Sequence, residues 1–182
     1  MTLLARAPKI DTPPAARTPV LRTRRLVLRA PRFEDAKPFA VLAGDRRVAE
    51  NTATVPSPCS VVEARQWIAD TILQPATYMI TVEGEVIGSC SLDGCDGIPE
   101  LGLWIGVPFR GCGYGTEAVR GLVGRAFNDL GHKALKASAR VSNPASRRML
   151  EKCGFQWTGA GLRRIRAISS SVPVDRFLLE RT

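Results

Sequence analysis

The stretch Trp104-Ile-Gly-Val-Pro-Phe-Arg-Gly-Cys-Gly-Tyr-Gly115 decides how this 182-residue chain folds. Its apolar start completes a strand expected over Glu100–Val107 and closed by Pro108. Beyond Gly115 the pattern is helical. Ala118, Val119, Leu122, Val123, Ala126, Phe127 and Leu130 share one face, and Gly131 sits at the usual stop position. Strand, glycine-rich turn and helix N-terminus in succession present free backbone N–H groups and a positive dipole end to a phosphate. Gly111, Gly113 and Gly115 remove side chains that would hold a diphosphate off the backbone, and Arg110 adds a fixed positive charge. A tight turn with incidental glycines would give the same triplet. A dinucleotide fingerprint needs its glycines after a first parallel strand, and a triphosphate loop needs a Gly-Lys-Ser/Thr ending. Neither pattern fits.

Outward from this segment, the elements alternate between the two periods. Upstream, Tyr78–Glu83 and Glu85–Leu92 flank Gly84 as a hairpin. Ser60-Val-Val-Glu63 is a capping box opening a helix with Ala64, Trp67, Ile68 and Ile72 on one face. Phe33–Leu42 has helical spacing at Phe33, Ala36, Ala40 and Val41, with Pro38 tolerated in the first turn. Leu26-Val27-Leu28 is a first strand. Downstream, Ala134–Val141 is a strand, and Asn143-Pro144 supplies a cap residue followed by proline at the first helical position. That helix ends at Gly154. Arg163–Ser169 and Val174–Glu180 are expected terminal strands, separated by Pro173. Residues 1–22, with four prolines, read as a flexible tail, and residues 23–182 as one domain. The fold class is α/β (α+β): a mixed, mostly antiparallel sheet of six to seven strands with helices on both faces.

Composition sets the bounds. With 45% hydrophobic and 24% charged residues the chain is an ordinary globule, and no apolar run approaches the roughly 20 residues that cross a bilayer. No membrane partner is expected. The N-terminus has no continuous apolar signal segment. Five cysteines without a C-x-x-C pair read as free thiols in a cytoplasmic protein, and a single histidine, His132, makes a metal site unexpected. The net charge of +9 is uneven: residues 31–109 carry −6, and residues 110–152 carry +6. The acidic half suits a cationic partner and the basic stretch an anionic one. Nucleic acid is disfavoured because no aromatic platform accompanies the basic residues.

Arg110-Gly-Cys-Gly-Tyr-Gly115 resembles the Gln/Arg-x-x-Gly-x-Gly/Ala signature of the GNAT acetyltransferase superfamily. Three more segments lie in matching order. Arg24-Arg-Leu-Val-Leu-Arg29 and Glu100-Leu-Gly-Leu-Trp-Ile-Gly106 resemble strands of the Rim-type branch, which acetylates ribosomal-protein N-termini. Asn143-Pro-Ala-Ser146 with Leu150-Glu-Lys-Cys-Gly-Phe155 resembles its downstream signature. The resemblance covers roughly residues 23–180. It implies a GNAT-like domain that uses acetyl-CoA as cosubstrate, without a metal, to acetylate an amine acceptor. The diphosphate would lie on Arg110, Gly111, Cys112, Gly113, Tyr114, Gly115 and Thr116. The pantetheine arm would pair with the strand end at Ile105 and Val107 and bond Asn143. Ser146, or water in its place, would protonate the departing thiolate, because Leu150 stands where many members carry a tyrosine. Glu100 would accept the amine proton, directly or through water. Packing suits Trp104 and Tyr114 better than chemistry, and helix capping suits His132.

Three functional readings follow from the residues. The first is an acetyltransferase, monomeric or homodimeric, acting on a protein N-terminus or on a small amine such as a polyamine or antibiotic. The others are a non-catalytic acyl-CoA-binding protein and a ribosome- or RNA-associated basic protein. The charge division and the lack of a strong base favour a cationic acceptor offering an α-amine. A free α-amine, with a pKa near 8, is partly neutral where lysine, near 10.4, is not.

Overall fold

The computed structural model describes residues 18–72, 74, 76–94 and 97–181. Residues 1–17 of the expected tail, and Cys95 among the cysteines, lie outside them. The described residues form one eight-stranded sheet in sequential order except at its far edge, where the last strand inserts: β1-β2-β3-β4-β5-β6-β8-β7. The strands are β1 Leu21–Arg22, β2 Val27–Arg29, β3 Thr77–Val82, β4 Glu85–Asp93, β5 Glu100–Ile105, β6 Ala134–Arg140, β7 Gln156–Ile165 and β8 Ser170–Glu180. Five α-helices accompany them: α1 Ala36–Ala43, α2 Arg46–Ala49, α3 Val61–Thr71, α4 Tyr114–Gly124 and α5 Pro144–Lys152. Every neighbouring strand pair is antiparallel except β5 with β6. The chain joins the sheet at Leu21, which pairs with Leu28.

Strand alternation assigns the two helical layers. In β3, Tyr78 and Ile80 face one way and pack with Ala118, Val119 and Leu122 of α4 and Leu150 of α5. Met79 faces the other way, into a second core with Phe39 and Ala40 of α1 and Ala64 and Ile68 of α3. Helices therefore cover both faces. The capping box of α3 forms as expected: Ser60 Oγ accepts from Glu63 N at 3.1 Å, and Glu63 Oε2 accepts from Ser60 N at 3.0 Å.

Three expectations need correction. The buried face of α1 is Ala36, Phe39, Ala40 and Ala43, whereas Phe33 and Val41 are exposed. Phe33–Asp35 form a 3₁₀ turn, whose three residues per turn shift the phase of the helix that follows. That turn is fixed by Asp35, which is buried and accepts two bonds of 2.8 Å from the Arg29 guanidinium and one from Arg32 N. At the C-terminus, β7 begins at Gln156 rather than Arg163, and Pro173 lies inside β8. It falls just past the last β6 pair, Arg140 with Val174, where its carbonyl accepts from Val141 N at 3.2 Å and the N–H that proline lacks is not needed for the pairing. Finally, the sheet has eight strands, because β1 and β2 are separate short pieces and β7 is a full strand.

One polar network ties the front of the sheet to α4. Glu117, in the first turn of α4, accepts from Thr23 Oγ1 at 2.6 Å, Arg25 N at 2.7 Å and Arg25 Nε at 2.8 Å. The Arg25 guanidinium also lies 4.6 Å from the Tyr114 ring centre. Burial opposes the Glu117 charge, but the bonds from Thr23 and Arg25 outweigh it and hold its pKa down at about 2. A depressed carboxylate pKa stabilises the fold above the unfolded value, near 4.3, and that stability is lost as pH falls toward 2. Glu117→Gln should therefore lower stability at pH 7 by roughly 2 kcal/mol and flatten the acid side of the stability profile. Urea denaturation from pH 7 to pH 2.5 checks this; parallel profiles for parent and variant would count against it.

Candidate active site

The parallel strands β5 and β6 share only two pairs, Glu100 with Lys136 and Leu101 with Ala137. Beyond them both strands continue, but apart. From Gly102 to Ile105 the edge of β5 facing β6 has no strand partner. Parallel strands need a crossover, and here it is the loop and α4, with α5 following β6. The parting opens a cleft of about 320 Å³ at the sheet's C-terminal end, lined by Leu103, Trp104, Ile105 and Phe109, the glycine loop, and α5. Parted parallel strands with a helix N-terminus at their mouth form a crevice of the kind that holds a ligand.

The loop itself is built for an anion. Gly111 and Gly113 both have φ of +80°, a region costing an L-residue about 1–2 kcal/mol, and Gly113 is the N-terminal cap of α4. Gly115 serves a different need: a Cβ there would stand 3.0 Å from Met149 Sδ, so its absence lets α4 and α5 close together. The first bond inside α4 runs from Glu117 N to Gly113 O at 3.1 Å. Among the described residues, the N–H groups of Gly111 through Thr116 have no acceptor. Six consecutive donors at a helix N-terminus can hold a diphosphate.

Of the residues predicted from sequence, Ile105, Arg110, Gly111, Gly113, Tyr114, Gly115, Thr116, Asn143 and Ser146 meet at this cleft. Val107 and Cys112 do not line it. The strand ends two residues earlier than expected, and Val107 opens a 3₁₀ turn whose carbonyl accepts from Arg110 N at 3.3 Å. Cys112 is exposed beside the loop. The Arg110 guanidinium is partly spent on structure: Nε donates to Ile105 O at 3.0 Å, and one terminal nitrogen donates to Arg47 O at 3.2 Å. Asn143 caps α5, its Oδ1 accepting from Ser146 N at 3.2 Å, and its Nδ2 donates to Asn51 Oδ1 at 3.1 Å. Ser146 is half-buried in the first turn of α5, on the cleft wall. Leu150 is buried in the core.

Glu100 is not brought to this cleft. It lies at the start of β5, where its carboxylate accepts from Ser138 Oγ at 2.7 Å and pairs with Arg163. It lines a second groove, of about 610 Å³, with Ser138, Lys136 and Arg176. The acids of residues 31–109 are partly spent on ion pairs as well. Asp35 is tied to Arg29, Asp45 to Arg47, Glu50 to Arg46 and Arg140, Glu63 to Arg166 and Glu100 to Arg163. Charge summed along the sequence missed this because those acids find their partners in space.

Sequence reasoning also missed three cations. Arg148 and Lys152 line the cleft from α5, at the helical spacing that could have shown them facing the loop. Arg25 arrives from the chain before β2, with one terminal nitrogen 3.5 Å from where a Gly113 Cβ would lie. No local pattern carries that contact. Trp104 packs edge-on against Phe39 at 5.4 Å, and the His132 backbone N–H closes the end of the α4 segment on Ala126 O at 3.0 Å. Among the described residues, no three His, Cys, Asp or Glu side chains gather as a metal site requires. No helix there is long and apolar enough to cross a membrane.

Known proteins share this architecture. Residues 25–156 match the acetyltransferase (GNAT) domain. The N-acetyltransferase p20 of Bacillus licheniformis is 32% identical over 149 residues, which cover 76% of this chain and 83% of that protein. An acetyltransferase of the GNAT family from Bacillus anthracis superimposes with a TM-score of 0.79 at 16% identity, over 89% of this chain and 98% of that one. RimL, a ribosomal L7/L12 alpha-N-protein acetyltransferase in complex with coenzyme A, gives 0.77 at 16% identity over the same shares. The parted strands, the glycine loop and the family match together establish that this chain belongs to the acetyltransferase (GNAT) family and is an acyltransferase.

Proposed function

We propose that this protein binds acetyl-CoA in the cleft between β5 and β6 and transfers the acetyl group to a primary amine, the α-amine of a protein or peptide N-terminus. The observation that carries the reading is the composition of the cleft wall: the free N–H groups of Gly111, Gly113, Tyr114, Gly115 and Thr116 at one end and, along its length, no carboxylate or imidazole. The donors from Gly111 to Thr116 hold the diphosphate, and Arg25, Arg148 and Lys152 add positive charge around it. The free edge of β5 from Gly102 to Ile105 offers backbone partners to the two amides of the pantetheine arm, with Asn143 opposite.

The chemistry asks for a neutral amine and an acid for the departing thiolate. The amine nitrogen bonds the acetyl carbon as the C–S bond breaks, the departing sulfur gains one proton, and the proton that the amine sheds passes through water to restore the hydroxyl that supplied it. Ser146, on the cleft wall, donates the proton to sulfur in place of the tyrosine that Leu150 replaces. A wall without a base selects an amine that is already partly neutral, which favours an α-amine, pKa near 8, over a lysine side chain, near 10.4. The RimL likeness, an alpha-N-protein acetyltransferase, supports the same acceptor class. The reading is of a cytoplasmic enzyme, in keeping with the free thiols of Cys59, Cys90, Cys112 and Cys153.

Two substitutions test this. Gly113→Leu should weaken acetyl-CoA affinity by about tenfold or more, since a side chain strains the αL cap and crowds the loop donors. Calorimetry on a variant that keeps its folded spectrum measures it, and an unchanged affinity removes the loop from the account. Ser146→Ala should lower kcat by roughly 100-fold while acetyl-CoA affinity holds; an unaffected kcat takes the proton donor elsewhere. The pH dependence discriminates further. With a peptide acceptor, kcat/KM should rise with pH and level off at the amine's own pKa, near 8, in both the parent and Glu100→Gln. Loss of that limb in Glu100→Gln would restore Glu100 as the base.

A further inference from the structure

We infer that the acceptor is acidic: a peptide N-terminus followed within its first few residues by carboxylates, seated on the cationic groove over β6, β8 and β7. The inference rests on the acetyl-transfer reading above and adds the chemistry of the acceptor.

Alternation places this groove at the parting of the strands, on the face away from α4 and α5. Leu101, Ala137 and Ala139 point into the α4 side. Their neighbours Glu100 and Ser138 therefore point to the opposite face, where they bond each other across the last β5–β6 pairs. The layer of α1 and α3 covers this face over Met79, Val86 and Trp104. Beyond it the face is open, and the 610 Å³ groove occupies it. On this inference the acceptor approaches the cleft from this side, across the groove.

The charge of the groove is one-sided. Four ionised side chains line it: Glu100, Lys136, Arg163 and Arg176. Glu100 neutralises Arg163, and the pair is only about one-third exposed. Lys136 and Arg176 are exposed and have no acidic partner among the described residues. The Arg176 guanidinium lies over Gly161, where a Cβ would stand 2.5 Å from a terminal nitrogen, so glycine leaves it room to lie along β7. Leu162, 70% exposed, gives the groove an apolar rim against which a chain can lie.

Geometry sets the position of the carboxylates. Ser138 pairs with Arg176 across β6 and β8, so Arg176 stands two strand spacings, about 10 Å, from β5. An extended peptide advances about 3.3 Å per residue and its alternate side chains share a face, which brings the second and fourth residues of an acceptor over Lys136 and Arg176. A cationic segment there would meet two uncompensated like charges, and a neutral one would gain nothing.

The test is a set of three peptides with one N-terminal residue and Asp, Asn or Lys at both positions 2 and 4. At low salt, kcat/KM should favour the Asp peptide over the Lys peptide by roughly tenfold, with Asn between them. The gap should shrink as salt is raised, since attractions between exposed charges are screened. The double variant Lys136→Glu, Arg176→Glu should invert the order, and Arg176→Gln should narrow the gap without inverting it. Acetyl-CoA affinity by calorimetry reports that each variant is folded. Equal use of all three peptides by the parent, or a preference for Lys, overturns the acidic acceptor and leaves acetyl transfer standing. No turnover of any peptide by protein that binds acetyl-CoA overturns the N-terminal reading and this inference with it.

Discussion

Two parallel strands that pair for two residues and then separate are the constraint on which the rest of the structure depends. Had β5 and β6 stayed paired to their ends, the backbone of Gly102–Ile105 would be satisfied and no cleft would exist. Because they part, one strand edge is left with hydrogen-bonding capacity, and the loop and α4 that cross between them arrive with six free N–H groups. A sheet edge left unpaired is usually a liability. Here it is short, recessed and flanked by two helix N-termini, the conditions under which a ligand rather than another strand satisfies it.

The elements around the parting hold it open. Gly115 brings α4 against α5, Asn143 caps α5 while reaching Asn51, and Arg110 ties the loop back to the carbonyls of Ile105 and Arg47. Glu117 fixes the first turn of α4 to Thr23 and Arg25. These contacts come from distant parts of the chain, and each fixes a backbone segment that faces the cleft. The sequence positions that resemble the family signature are therefore a mixture. Some present donors outward, and others, Arg110 above all, are architectural.

Much of this was legible in the residues. The strand–glycine–helix succession located the loop whose N–H groups are free, Ser60 and Glu63 announced their helix, and Asn143-Pro144 announced theirs, because each depends on neighbours within a few positions. What was not legible depends on partners far along the chain. The phase of α1 followed from a buried Arg29–Asp35 pair that turned Phe33 outward. Glu100 looked like a free carboxylate on a strand until Arg163 and Ser138, 63 and 38 residues away, were seen to hold it. Asp35, Glu50 and Glu63 in the acidic middle of the chain likewise found partners that a sum of charges does not show.

The central claim is that the loop donors and the open edge of β5 together form the coenzyme's seat. The most direct measurement is of backbone amides by ¹H–¹⁵N NMR during titration with coenzyme A. The account predicts the largest shifts at Gly111 through Thr116, with accompanying changes along Gly102–Ile105 and at Ser146, and small changes in β7 and β8. Shifts concentrated in β7 and β8, with the loop amides unmoved, would contradict it.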